Sequence, residues 1–160
     1  MTEAAPDFVY TLYIAAPPER VWNAIVDGDL TRQYWGHENR SDWQVGSRWE
    51  HVRNGPSGQV DICGRVLETD PPRRLVTSWS LPRDEGDAEK TSRVTYEIEP
   101  MGEESRLTVT HSELRDPDMR RGISGGWPMV LSSLKTFLES GDGLEVIRAR
   151  MREMEPAASN

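Results

Sequence analysis

The chain has 160 residues, with 27 acidic and 19 basic side chains and a formal charge of −8. That balance speaks against partners that select a basic face, such as nucleic acid and anionic membrane surfaces, and the length fits one domain with a single core. One cysteine, Cys63, excludes an intramolecular disulfide. No apolar run reaches spanning length and Met1 to Asp7 lacks signal-peptide regions, so a soluble cytoplasmic protein is expected.

Phe8, Tyr10, Leu12 and Ile14 alternate with Val9, Thr11 and Tyr13 and predict a first strand. Pro18 and Glu19 suit a helix start, and Val21, Trp22, Ile25 and Val26 form a short apolar stripe that ends at Asp27-Gly28-Asp29. Leu30 to Trp35 reads as a second short helix. Gly46 to Arg53 predicts the second strand, with Trp49 and His51 on one face, and Asn54 to Gly58 a turn. Val60, Ile62 and Val66 mark the third strand. Gly64 leaves space on its apolar side, while Asp61, Cys63 and Arg65 are expected on the outer face.

Leu75, Thr77, Trp79 and Leu81 share one face of a fourth strand, and Val94, Tyr96 and Ile98 alternate with polar residues in a fifth. Arg106 to Ser112 is the sixth, with Leu107, Val109 and His111 facing inward. The last amphipathic stretch, Met119 to Leu138, sets Ile123, Trp127, Val130, Leu131, Leu134, Phe137 and Leu138 on one helical face. Asp116-Pro117-Asp118 offers helix-start residues. Gly125-Gly126, however, costs a helix about 1 kcal/mol per residue, and Pro128 suits a first turn. The regular helix is therefore expected near Trp127, unless the glycines serve a close approach or a kink. The sum is an α+β fold: a curved, antiparallel, six-stranded sheet around a long C-terminal helix, with two short helices after strand 1.

Four segments carry a family resemblance: Ile14-Ala15-Ala16-Pro17-Pro18-Glu19-Arg20-Val21-Trp22; Val45-Gly46-Ser47-Arg48-Trp49-Glu50; Gly64-Arg65-Val66-Leu67-Glu68 through Pro72-Arg73-Arg74-Leu75 to Ser78-Trp79; and Val94-Thr95-Tyr96 through Arg106 to Ser112 and on to Gly126-Trp127. In these the chain resembles the START-like, or SRPBCC, superfamily, and more narrowly bacterial homologues of the activator of the heat-shock protein 90 ATPase. The resemblance implies a helix-grip domain over residues 8–141, with 142–160 as a C-terminal tail. Within the tail, Leu144, Ile147, Met151 and Met154 keep a helical spacing that suits a short helix. The superfamily includes lipid and hormone carriers, polyketide cyclases and aromatases, and stress-associated binding proteins, so the fold alone does not assign the activity.

The leading expectation is a small hydrophobic or aromatic ligand held between sheet and helix. Trp35, Trp49, Trp79, Tyr96, Trp127 and Leu131 would form its walls, and His51 and His111 its polar anchors. Any one of the tryptophans taken alone is better read as plain core packing, and His111 as a histidine satisfied by a structural partner. A second reading is a cyclase- or hydrolase-type enzyme with His111 as acid or base, and a third is a chaperone-ATPase regulator. The chain shows no additional domain for a chaperone, so that partner is not expected. A homodimer through residues 144–154 is compatible with the sequence. With three histidines and no ligand-type spacing, no metal and no cofactor are expected. Glu50, Glu97 and Glu99 are read as solvent-facing, which argues against a paired-carboxylate hydrolase.

Overall fold

The computed structural model describes residues 5–154. The elements run β1 (Phe8–Ile14), α1 (Pro18–Val26), α2 (Gly28–Tyr34), β2 (His37–Arg40), β3 (Arg48–Arg53), β4 (Val60–Asp70), β5 (Arg74–Trp79), β6 (Ser92–Met101), β7 (Glu104–Ser112), α3 (Pro117–Ser140) and α4 (Glu145–Met154). The strands form one sheet in the order β1-β7-β6-β5-β4-β3-β2. Every neighbouring pair is antiparallel, and the sheet curls around α3 in a helix-grip arrangement.

The sheet has seven strands rather than the expected six. The additional strand, β2, reads His37-Glu38-Asn39-Arg40 and carries no apolar alternation that could announce it. Pairing with β3 holds it, Asn39 lying opposite His51. The Asn39 backbone N–H also donates to Thr31 Oγ1 at 3.0 Å, fixing the strand to α2.

Across the concave face the register carries one apolar row through Tyr10, Val109, Tyr96 and Leu75. Alternation made these strands legible, because each buries one side only. Gly64 stands opposite Trp49. A Cβ there would collide with the Ser78 carbonyl and come within 2.6 Å of Trp49 Nε1. The missing side chain lets the Trp49 indole cross the strand and donate to Ser78 O at 2.9 Å. Cys63, expected on an outer surface, is fully buried. The chain after β5 continues alongside β4, Cys63 and Ser80 exchanging backbone hydrogen bonds at 2.9 Å, and the Ser80 hydroxyl lies 3.9 Å from Cys63 Sγ.

The long helix starts at Pro117, ten residues before Trp127. The Asp116 carboxylate caps it by accepting from Asp118 N at 2.9 Å, and Pro117 at the first position loses no needed donor. The chain stays helical through Gly122, Gly125, Gly126 and Pro128. A Cβ at any of the three glycines would meet nothing within 4 Å, so they do not serve close backbone packing. Farther along, Leu131, Leu134 and Leu138 enter the core with Ile14, Val21, Trp22, Ile25 and Tyr34. Ser133 joins three helical segments: its hydroxyl donates to Tyr34 O at 2.7 Å and accepts from Leu144 N at 3.0 Å. The α4 helix follows, with Ile147 buried; residues 155–160 of the tail lie outside the described residues.

Candidate functional site

The structure brings the expected aromatic residues together. Trp127, on α3, has ring centroids of Trp35, Trp79, Tyr96 and His111 at 5.5, 5.7, 6.0 and 6.2 Å. Trp49 joins through Trp79 at 5.6 Å, and His51 through Trp35 at 4.7 Å. Leu131, one helical turn from Trp127, is buried behind them. These rings fill most of the space that the sequence leaves for a ligand. Trp49, Tyr96, His111 and Leu131 therefore sit in the packed interior, while Trp35, His51, Trp79 and Trp127 reach a cavity.

His111 is fully buried on β7. The Trp127 indole, which can only donate, gives its N–H to His111 Nδ1 at 3.0 Å. The imidazole is therefore the Nε2–H tautomer and donates to Ser92 Oγ at 2.7 Å, and Ser92 in turn donates to Trp79 O at 3.3 Å. Burial lowers the His111 pKa to about 4. With both nitrogens engaged and the ring neutral, His111 connects β6, β7 and α3.

The polar part of the site lies at the other end of the aromatic cluster, on β2, β3 and β4. His37 and His51 stack flat, with centroids 4.0 Å apart and planes 6° from parallel. Asp61 accepts from His37 Nε2 at 2.8 Å and from Arg53 Nε and a terminal guanidinium nitrogen at 2.9 Å each. Burial works against the Asp61 carboxylate, yet the Arg53 and His37 bonds prevail and hold its pKa below the ordinary range. Nδ1 of His37 is buried without a hydrogen-bond partner. His51 is pushed well below the usual histidine range, first by burial and then by neighbouring His37.

Neither His37 nor Asp61 was singled out from the sequence. Strict alternation puts Asp61 on the outer face, but the β3–β4 register slips between His51 and Val52. His51 pairs with Ile62 and Val52 with Val60, leaving Asp61 as the extra residue of a bulge. A bulge re-aims a side chain without changing composition, so Asp61 and Ile62 both border the cavity. A bare count of histidines is the only hint the sequence gives of His37.

The cavity measures about 270 Å³ and lies between the N-terminal half of α3 and the rim of the sheet. Trp35, His51, Trp79, Trp127, Ile123 and Gly126 line much of it. It adjoins a wider cleft of about 640 Å³ that shares Trp35, His37, Asp61, Gly126 and Val130, and that Met129, Ile147, Arg150 and Met151 extend toward α4. The bare glycine face of α3 overlooks this space. Among the described residues, no group of three or more His, Cys, Asp or Glu side chains is placed to hold a metal ion. Elsewhere Glu50 pairs with Arg48, Glu97 with Arg74 and Glu99 with Arg106. Among the described residues, no helix is long and apolar enough to cross a membrane.

No curated protein matches the sequence. Several solved structures share the architecture. CalU16 from Micromonospora echinospora is 24% identical, the alignment covering 92% of this chain and 83% of that one, with a TM-score of 0.70. The Aha1 dimer from Colwellia psychrerythraea is 21% identical, with 87% and 100% covered and a TM-score of 0.71. PFC0360w, an HSP90 activator from Plasmodium falciparum, is 25% identical, with 84% and 97% covered and a TM-score of 0.69. The family model for activator of Hsp90 ATPase homolog 1-like proteins matches residues 15–139, from the end of β1 almost to the end of α3. On that match, the chain belongs to the family of activator of Hsp90 ATPase homolog 1-like proteins.

Proposed function

We propose that the protein binds a small aromatic or apolar molecule in the cleft between the N-terminal half of α3 and the β2–β4 rim. One observation carries this reading: beside an interior filled by rings, the exposed Gly122 and Gly126 of α3 border a cavity of about 270 Å³ walled by Trp35, Trp79 and Trp127. Binding pockets of roughly 300–1,000 Å³ with aromatic walls and few polar groups are typical of small-molecule sites, and cavity and adjoining cleft together fall in that range. Naphthalene, titrated while tryptophan emission is followed, should quench it with saturation. Gly126→Leu, which puts a side chain into the cavity, should abolish the quench while keeping the native circular dichroism. Unsaturable quenching, or equal binding by this variant, would overturn the proposal.

For an enzyme of the cyclase or hydrolase type, His111 is a poor acid or base, since both its nitrogens are already bonded. Family membership favours one other reading, regulation of a chaperone ATPase, as the name of the Plasmodium neighbour says of that protein. The ATPase rate of purified Hsp90 with and without this protein tests it; an unchanged rate removes it. By likeness to the Colwellia dimer we also propose a homodimer, which sedimentation equilibrium checks directly.

A further inference from the structure

His51 Nδ1 lies 2.6 Å from Asn39 Oδ1. The Asn39 amide is oriented by its own nitrogen, which donates to Ile25 O at 3.3 Å, so Oδ1 is the acceptor and His51 Nδ1 carries the proton. Nε2 is then the unprotonated nitrogen of the ring. Among the described residues no hydrogen-bond partner reaches it, and His51 lines the cavity. The ring is held on several sides, by His37 stacked at 4.0 Å, by Trp35 edge-on at 4.7 Å and by Trp79 at 6.1 Å. A rigid, neutral acceptor thus stands in an aromatic-walled cavity, and the carboxylate that lines the cavity, Asp61, is charged and already engaged by Arg53 and His37.

We infer that the cleft selects planar aromatic molecules bearing one neutral hydrogen-bond donor, an O–H or N–H, which is delivered to His51 Nε2, and that it rejects aromatic carboxylates. The inference rests on the cleft being a ligand site. A donor pairs with the lone pair and leaves the faces of the ligand to Trp35, Trp79 and Trp127. A carboxylate offers only acceptors, so at Nε2 it would set lone pair against lone pair with no proton between them. A ligand without a polar group keeps the apolar contacts and forgoes one hydrogen bond.

Three probes of one shape separate these cases: naphthalene, 2-naphthol and 2-naphthoate, each titrated calorimetrically against the whole chain. The expected order is 2-naphthol about tenfold tighter than naphthalene, which corresponds to about 1.4 kcal/mol, with 2-naphthoate weakest. In His51→Phe, which keeps a flat ring against His37 but has no acceptor, the naphthol advantage should vanish and naphthalene affinity persist. In wild-type protein labelled with ¹⁵N-histidine, 2-naphthol should move the Nε2 resonance of His51, and naphthalene should leave it in place. Equal affinities for naphthalene and 2-naphthol, tightest binding of 2-naphthoate, or an unmoved Nε2 resonance would each overturn the inference and leave the cleft as a ligand site. Failure of all three probes to bind would instead remove the cleft reading itself.

Discussion

Protonating His111 would place two donors, its own Nδ1–H and the Trp127 indole N–H, against each other in a buried site. The consequence is a dependence of stability on pH. The folded-state pKa, about 4, lies below the unfolded histidine value of about 6.5, so below pH 6.5 the unfolded chain binds the proton first. Stability conferred by neutral His111 is complete above pH 6.5 and is lost as pH falls through about 4, by about 3 kcal/mol. Urea unfolding of wild type and His111→Gln at pH 7.5 and pH 4.5 checks this; the variant should show the smaller loss, and parallel profiles would contradict it. Ser92→Ala should cost about 1–3 kcal/mol in the same assay at neutral pH, because it leaves the His111 Nε2–H buried without an acceptor. The inward phase of His111 was legible from Leu107 and Val109. Its bonding to Trp127 and Ser92 was not, because those partners come from other elements and only the folded register joins them.

At the scale of elements, glycine carries two opposite meanings in this chain. Gly64 in β4 is a point of contact: Gly64→Ala should cost about 1–3 kcal/mol through overpacking against the Ser78 carbonyl and the Trp49 indole. Gly126 in α3 borders open space: Gly126→Ala should stabilise the helix by about 1 kcal/mol and raise the melting temperature. Thermal unfolding of the two variants reads both signs, and a destabilised Gly126→Ala would count against the open cavity. The α3 glycines and Pro128 also explain why the helix start was misplaced. Propensity argues against helix there, whereas the Asp116 cap and the contacts of the apolar face from Trp127 to Leu138 prevail. Strand β2 escaped notice for the opposite reason, since a short polar strand held by cross-strand bonds and Asn39 has no hydrophobic period to detect.

Over the whole molecule, the curl of the sheet decides what meets what. It brings Trp35, which follows α2, against Trp127 of α3, and sets both beside the β2–β4 rim. The antiparallel succession from β2 to β7 follows from short connections and was readable for the strands that were seen, whereas the place of β1 beside β7 was not. The shape of the cavity was not, because alternation reports only which face a residue takes and says nothing of how completely opposing rings fill the space between sheet and helix. Binding at the cleft should tie the α3 half of the molecule to the rim. A ligand at about a hundred times its dissociation constant should then stabilise the native state by about 2.7 kcal/mol. Hydrogen exchange across Gly122–Val130 and His37–Asn39 should slow together in saturating 2-naphthol; protection confined to one side would show that the ligand does not bridge the two.

The bulge at Asp61 ties the electrical character of the cleft to a count of residues. With β4 one residue shorter on this side, regular alternation would turn the carboxylate to the far surface, and Arg53 would face the opening without its counter-charge. The Arg53 guanidinium, now matched by that carboxylate, would then add its charge to that of Arg150 at the cleft and favour anions there. A single insertion or deletion on this strand would thus change the charge at the cleft while leaving every aromatic wall in place.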